Sequence, residues 1–117
     1  MARQSTTQRR PAKSPVSDDA PMADCAQVCN QTLAYCLDQG GDHVEASHLK
    51  AMIDCIDVCT LTARLHGRGS PLGEQAMELC AEACKACEES CEGFEGDETM
   101  QLCAATCREC YEHCRSM

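Results

Sequence analysis

The chain has 117 residues, 13 of them Cys, and a formal net charge of −9. That length allows one small domain. With no Trp, one Phe and two Tyr, an ordinary aromatic and aliphatic core is not expected. The acidity argues against nucleic acid as a general partner, because a phosphate-binding surface needs an excess of Lys and Arg. No apolar run approaches membrane-spanning length, so a soluble protein that does not enter a membrane is expected.

Residues 1–17 hold Arg3, Arg9, Arg10 and Lys13 and no acid, giving +4 against −13 for the rest of the chain. This stretch is rich in Ser, Thr, Gln and Pro and lacks the apolar surface needed to order itself. Residues 1–20 therefore read as a disordered basic tail, either a solvated extension or a docking segment for an acidic protein partner. Arg9-Arg10 is a twin-arginine pair, but the polar run from Pro11 to Asp19 follows it where a secretory signal needs a continuous apolar stretch. A cytoplasmic location is expected on that ground. In a reducing compartment cysteines serve more often as ligands or reactive thiols than as disulfides, and an odd number cannot pair completely within one chain.

The folded part is expected over residues 21–117 as four helices, about 21–39, 43–66, 71–93 and 97–116. Each carries one copy of the repeat Met-x2-Cys-x3-Cys-x2-(Cys or Thr)-x3-(Cys or His). The copies are Met22, Cys25, Cys29, Thr32, Cys36; then Met52, Cys55, Cys59, Thr62, His66; then Met77, Cys80, Cys84, Cys87, Cys91; and Met100, Cys103, Cys107, Cys110, Cys114. Gaps of three and four keep side chains on one helix face, so every cysteine falls on a seam that leucine and valine normally fill. Modest apolar residues flank the seam, such as Val58, Leu61 and Leu65, or Leu79, Ala83 and Ala86. The opposite faces are acidic, with Asp54, Asp57, Glu78, Glu82, Glu89 and Glu92.

The punctuation fits this division. Pro21 suits a first helical turn and Gly40-Gly41 a helix end. Asp42-x-x-Glu45 resembles a capping box for the second helix. Gly67, Gly69 and Ser70-Pro71 separate helices two and three, and residues 93–97 separate three and four. Short connections favour antiparallel neighbours, so the expected fold is an all-α, antiparallel four-helix bundle with a cysteine-lined core.

Packing alone does not call for thirteen inward cysteines, since Ala, Val or Leu fill such positions better than a small thiol. Disulfides within a helix are disfavoured, because i,i+4 Cβ atoms stand about 5–6 Å apart and a disulfide wants about 3.5–4.5 Å. Sulfur chemistry is the remaining reason, and thiolates select Cu(I), Zn(II) or iron–sulfur clusters. Isolated Zn(II) sites of four thiolates would each leave −2 in a dry core, whereas one Cu(I) per thiolate leaves it neutral. A row of ligands over four helical turns also suits many small sites better than one compact cluster. Multiple Cu(I) ions are therefore the expected ligand. Met22, Met52, Met77, Met100 and Met117, falling near the ends of the thiol column, and His48 and His66, on the same faces, are candidate accessory ligands. His113 falls off the seam and His43 in a loop.

Cys-x3-Cys and Cys-x2-Cys-x3-Cys along four such segments resemble the bacterial copper storage proteins, over about residues 22–117. The resemblance implies a bundle that holds many Cu(I) ions through bridging thiolates of the thirteen cysteines, commonly as a homo-tetramer. The absence of a recognisable signal places the chain beside the cytosolic members. Thr32 and Thr62 depart from an all-Cys seam, so helices one and two should hold less metal than three and four. The expected role is storage and buffering, not catalysis. The alternatives are a zinc reservoir, a thiol redox or oxidant-sink protein, and an interaction module using the basic tail.

Overall fold

A computed structural model describes residues 20–116; the rest of the basic tail and Met117 lie outside the described residues. Four helices follow one another: α1 (Ala20–Gln39), α2 (Ala46–Gly67), α3 (Gly73–Glu92) and α4 (Glu98–Ser116), with a short 3-10 turn at Gly41–Val44. Each helix packs on its chain neighbours and α4 closes back on α1. The connections are too short for anything but an up-down-up-down ring. No helix among the described residues is long and apolar enough to cross a membrane.

Local chemistry sets the helix ends. Gly40 and Gly41 adopt φ of 69° and 58°, a left-handed pair that side-chain-bearing residues resist. The Gly40 N–H closes α1 by donating to the Cys36 carbonyl at 3.1 Å. The next residues then wind into the 3-10 turn, so α2 begins at Ala46 and not at 43. The expected capping box does not form. Asp42 is spent inside the turn, and Glu45 stands as the N-cap without a side-chain cap bond. Glu45 instead accepts the Ser47 hydroxyl at 2.6 Å. The third helix starts at Gly73, two residues after the expected position, because Ser70-Pro71-Leu72 is spent on a turn in which Ser70 Oγ accepts the Leu72 N–H at 3.1 Å.

The core is sulfur and little else. All thirteen cysteines are buried, with Met22, Met52, Met77, Met100, Ala81 and Ala104 completing the cluster. Leu65 is the one buried leucine among the described residues. Of the other flanking residues, Val58 and Ala83 are half-buried while Leu61, Leu79 and Ala86 are exposed, so the buried arc is narrower than the sequence pattern suggests. A thiol seam with small neighbours lets the helices approach closely and pushes wider apolar residues to the rim. Enclosing each methionine contributes about 1.5–3 kcal/mol. Across α3 and α4, the buried Glu88 carboxylate is paired with Arg108 at 2.8 Å, which satisfies a charge that would otherwise be costly inside.

Candidate metal centre

Helical spacing alone brings sulfurs of one helix together: Cys25 and Cys29 are 3.9 Å apart, Cys55 and Cys59 3.8 Å, and Cys80 and Cys84 3.9 Å. Packing then joins the helices. Cys29 Sγ lies 3.6 Å from Cys107 and 3.7 Å from Cys103, linking α1 to α4. Cys25 meets Cys55 at 3.7 Å, linking α1 to α2. Cys59 meets both Cys80 and Cys84 at 3.5 Å, linking α2 to α3. Cys91 sits beside Cys103 and Cys87, and Cys114 beside Cys110 and Cys80.

Four quartets have their sulfurs within 4.8 Å of one another: Cys59–Cys80–Cys84–Cys110, Cys25–Cys55–Cys59–Cys84, Cys25–Cys29–Cys55–Cys107 and Cys29–Cys87–Cys103–Cys107. In that order each shares two thiols with the next: Cys59 and Cys84, then Cys25 and Cys55, then Cys29 and Cys107. Four separate quartets would use sixteen thiols, whereas these use ten. The thiols form one continuous run with shared members.

Cys36 is placed differently. Its sulfur faces His48 Nε2 at 3.5 Å, Met100 Sδ at 3.7 Å and Met52 Sδ at 3.9 Å. The helix directions put these residues at one end of the bundle, and Met22, Met77, Thr62, His66 and Cys114 at the other. Of the accessory candidates, His48, Met22, Met52, Met77 and Met100 are buried and His66 is half-buried, while Met117 lies outside the described residues. Thr62 fills a thiol position by donating its hydroxyl to the Ala76 carbonyl at 3.2 Å, and Thr32 donates to Val28 within its own helix at 2.8 Å. His43, read from the sequence as a loop residue, is half-buried in the 3-10 turn and contacts the Asp97 carboxylate at 2.9 Å. Ser90, Phe94 and Asp97 were not singled out by their spacing. The Asp97-x-x-Met100 interval, an N-cap pattern, is the signal that could have found one of them.

Electrostatics divide the buried thiols: Cys25, Cys55, Cys80, Cys103 and Cys110 are held low by S–H donors beside them, and the other eight are pushed up. Burial, followed by the nearby Cys103 and Asp97, pushes Cys36 up to about 11. Between Cys103 and Cys107 the S–H of one supports the thiolate of the other, so Cys103 is held low and Cys107 high. Burial, and then the neighbouring His43, holds His48 below the ordinary histidine value. Its ring is neutral at pH 7 and keeps a lone pair. A buried set of soft sulfur donors of this kind suits a soft monovalent metal ion.

The family model described as copper storage protein matches residues 17–117. A Nitrosospira multiformis protein of known structure is 37% identical over 85% of this chain and 89% of its own, with a TM-score of 0.79. The Cu(I)-bound copper storage protein BsCsp3 of Bacillus subtilis is 31% identical over 86% of this chain and 93% of its own, also with a TM-score of 0.79. A Streptomyces lividans Ccsp variant, with two histidines replaced by alanine, is 28% identical over 85% and 87%, with a TM-score of 0.78. No curated protein sequence matches the chain.

Proposed function

Because the chain belongs to the copper storage protein family, we propose that it stores and buffers Cu(I), taking up about one ion per cysteine through bridging thiolates. The ligands in this reading are Cys25, Cys29, Cys36, Cys55, Cys59, Cys80, Cys84, Cys87, Cys91, Cys103, Cys107, Cys110 and Cys114. His48, Met52 and Met100 complete a mixed site with Cys36. Met22, Met77 and His66 offer weaker donors at the far end.

The observation that carries this reading is the sharing of thiols between successive quartets. The individual sulfur spacings suit zinc as well, since a tetrahedron with Zn–S of about 2.3 Å has edges near 3.8 Å. Sharing separates the two metals. Closed structural zinc sites each want four thiolates of their own, and four such sites would need sixteen where the chain has thirteen. A thiolate that bridges two Cu(I) ions keeps the column neutral while every sulfur is used. Each ion displaces a thiol proton, so loading releases protons and weakens in acid.

Storage, with no catalytic step, is the activity this arrangement supports. A cytoplasmic compartment, where thiols stay reduced and free to bind metal, suits this reading. A homo-oligomer is supported by six large apolar side chains that stay exposed on the single chain, Leu102 the most at 68%. The deciding experiment titrates reduced, metal-free protein with Cu(I) anaerobically against a strong chromogenic chelator. Retention near one ion per cysteine supports storage; retention below half that number overturns it.

A further inference from the structure

We propose that residues 3–13 of the basic tail dock on their own bundle, in the groove between α3 and α4. Helix α3 carries six acids, and the cations of the bundle answer three of them. Arg108 pairs with Glu88 at 2.8 Å and with Glu92 at 3.4 Å, and Lys85 pairs with Glu89 at 3.8 Å. Glu74, Glu78 and Glu82 are exposed and form no ion pair among the described residues. Standing four residues apart, they line up one helical turn above another and repel each other.

The same three carboxylates form one wall of a groove of about 1000 Å³. Its floor is apolar, with Met77 and Ala81 buried and Tyr111 half-buried. Lys85 and Arg115 also line it, but both are engaged. Lys85 lies 5.4 Å over the Tyr111 ring as well as beside Glu89, and Arg115 donates to the Tyr111 hydroxyl at 3.1 Å. An acidic wall over an apolar floor suits an extended basic segment, whose Lys and Arg stems cover apolar surface while their heads meet carboxylates. The chain carries such a segment, with Arg3, Arg9, Arg10 and Lys13 and no acid before Asp18. It is also attached at the right end. In an up-down-up-down bundle the start of α1 and the start of α3 share one end. Lys13 stands seven residues before Ala20, a reach of up to about 25 Å. Neighbouring helix axes are about 8–10 Å apart, which puts α3 about 14 Å or less from α1 across the bundle. Arg9 to Lys13 spans about 13 Å when extended, and Glu74 to Glu82 spans about 12 Å along the helix. A tethered segment needs little affinity of its own, because its effective concentration is about millimolar. Any acidic partner elsewhere must first displace the tail from this groove.

Zero-length carbodiimide coupling of the full-length, reduced, metal-free protein tests this. The reagent joins an amine to a carboxylate in contact with it, forming an amide and releasing water. Lys13 is the only lysine before α1, so its links can be read by peptide mass spectrometry. At about 50 mM salt they should fall mainly on Glu74, Glu78 and Glu82, in a product of monomer mass under denaturing conditions. Raising the salt to about 0.5 M should cut their yield about fivefold or more, as the screening length shrinks from about 14 Å to about 4 Å. Arg9→Glu combined with Arg10→Glu lies outside the helices and should cut the yield about fivefold at low salt, the worth of two exposed ion pairs. Lys13 links spread evenly over the acids of α2 and the connections, or no Lys13 link at all, overturn the proposal. So does a yield that neither salt nor the double variant changes. Links found mainly in a product of dimer mass give the groove to a second copy's tail and overturn it as well. No metal enters the experiment, so its outcome stands apart from the copper count that tests storage.

Discussion

His48 Nε2 lies 3.5 Å from Cys36 Sγ, and the other ring nitrogen of the same histidine lies 2.6 Å from Ser90 Oγ. A side chain of α3 thus fixes the ring that faces a thiol of α1. Such a partner on the distal nitrogen orients an imidazole and raises its strength as a ligand. His48→Ala should lower Cu(I) capacity by about one ion at most and speed removal of the most labile ion by a chelator. Ser90→Ala should leave capacity unchanged and speed the same removal by about tenfold, the lower end of the range for losing an outer partner. Stopped-flow chelator competition measures both.

The shared quartets make a different prediction for single cysteines. Cys25, Cys29, Cys55, Cys59, Cys84 and Cys107 each belong to two quartets. Replacing any one by Ser should cost about one or two ions, because its neighbours keep partners along the run. Anaerobic titration of Cys55→Ser is the first case to measure. A variant that lost all uptake while remaining helical would contradict a column of many sites.

Thr62 occupies a cysteine position of the repeat, fully enclosed, with its hydroxyl on the Ala76 carbonyl at 3.2 Å. Thr62→Cys adds a thiol to the seam and weakens that bond. Capacity should rise by about one ion, while the metal-free protein loses about 1 kcal/mol, the net worth of one hydrogen bond. Thr62→Val should show the stability loss without the gain in capacity. Titration and denaturant unfolding, run side by side, separate the two effects.

Acid should weaken the contacts that Asp97 makes with Tyr35 and His43. The His43 contact and then the Tyr35 hydroxyl hold the Asp97 carboxyl below its ordinary value. A folded-state value below the unfolded one of about 3.9 means the stabilisation is whole above that pH and disappears as the pH falls through the folded value. The thermal midpoint of metal-free wild type should therefore exceed that of Asp97→Asn at pH 7, with the gap closing below about pH 4. Midpoints from circular dichroism between pH 7 and 3 give the test. A gap that is constant across the range would show that the carboxylate charge plays no part.

The helices and the sulfur seam were legible in the chain because both depend on spacing along one helix. Intervals of three and four residues put the cysteines on a single face whatever that face meets. Gly40-Gly41 and residues 93–97 mark helix ends through conformational preferences that are local. The start of α2 was read three residues early, because the same two glycines that end α1 also allow a tight turn, and no local rule ranks that turn above a capping box.

What a helix face meets was not legible. Sequence spacing makes Cys25 and Cys29 neighbours, but only the packing of α1 on α2 and α4 makes Cys55 and Cys107 their partners, since crossing geometry depends on side-chain volumes from several helices at once. For the same reason Leu61 and Leu79 lie outside the buried arc. The cluster of Tyr35, His43, His48, Phe94 and Asp97 joins residues up to 62 positions apart, drawn from two connections and two helix ends with no common period. Periodicity determined that this protein has a thiol column; tertiary packing decided which thiols are shared along it.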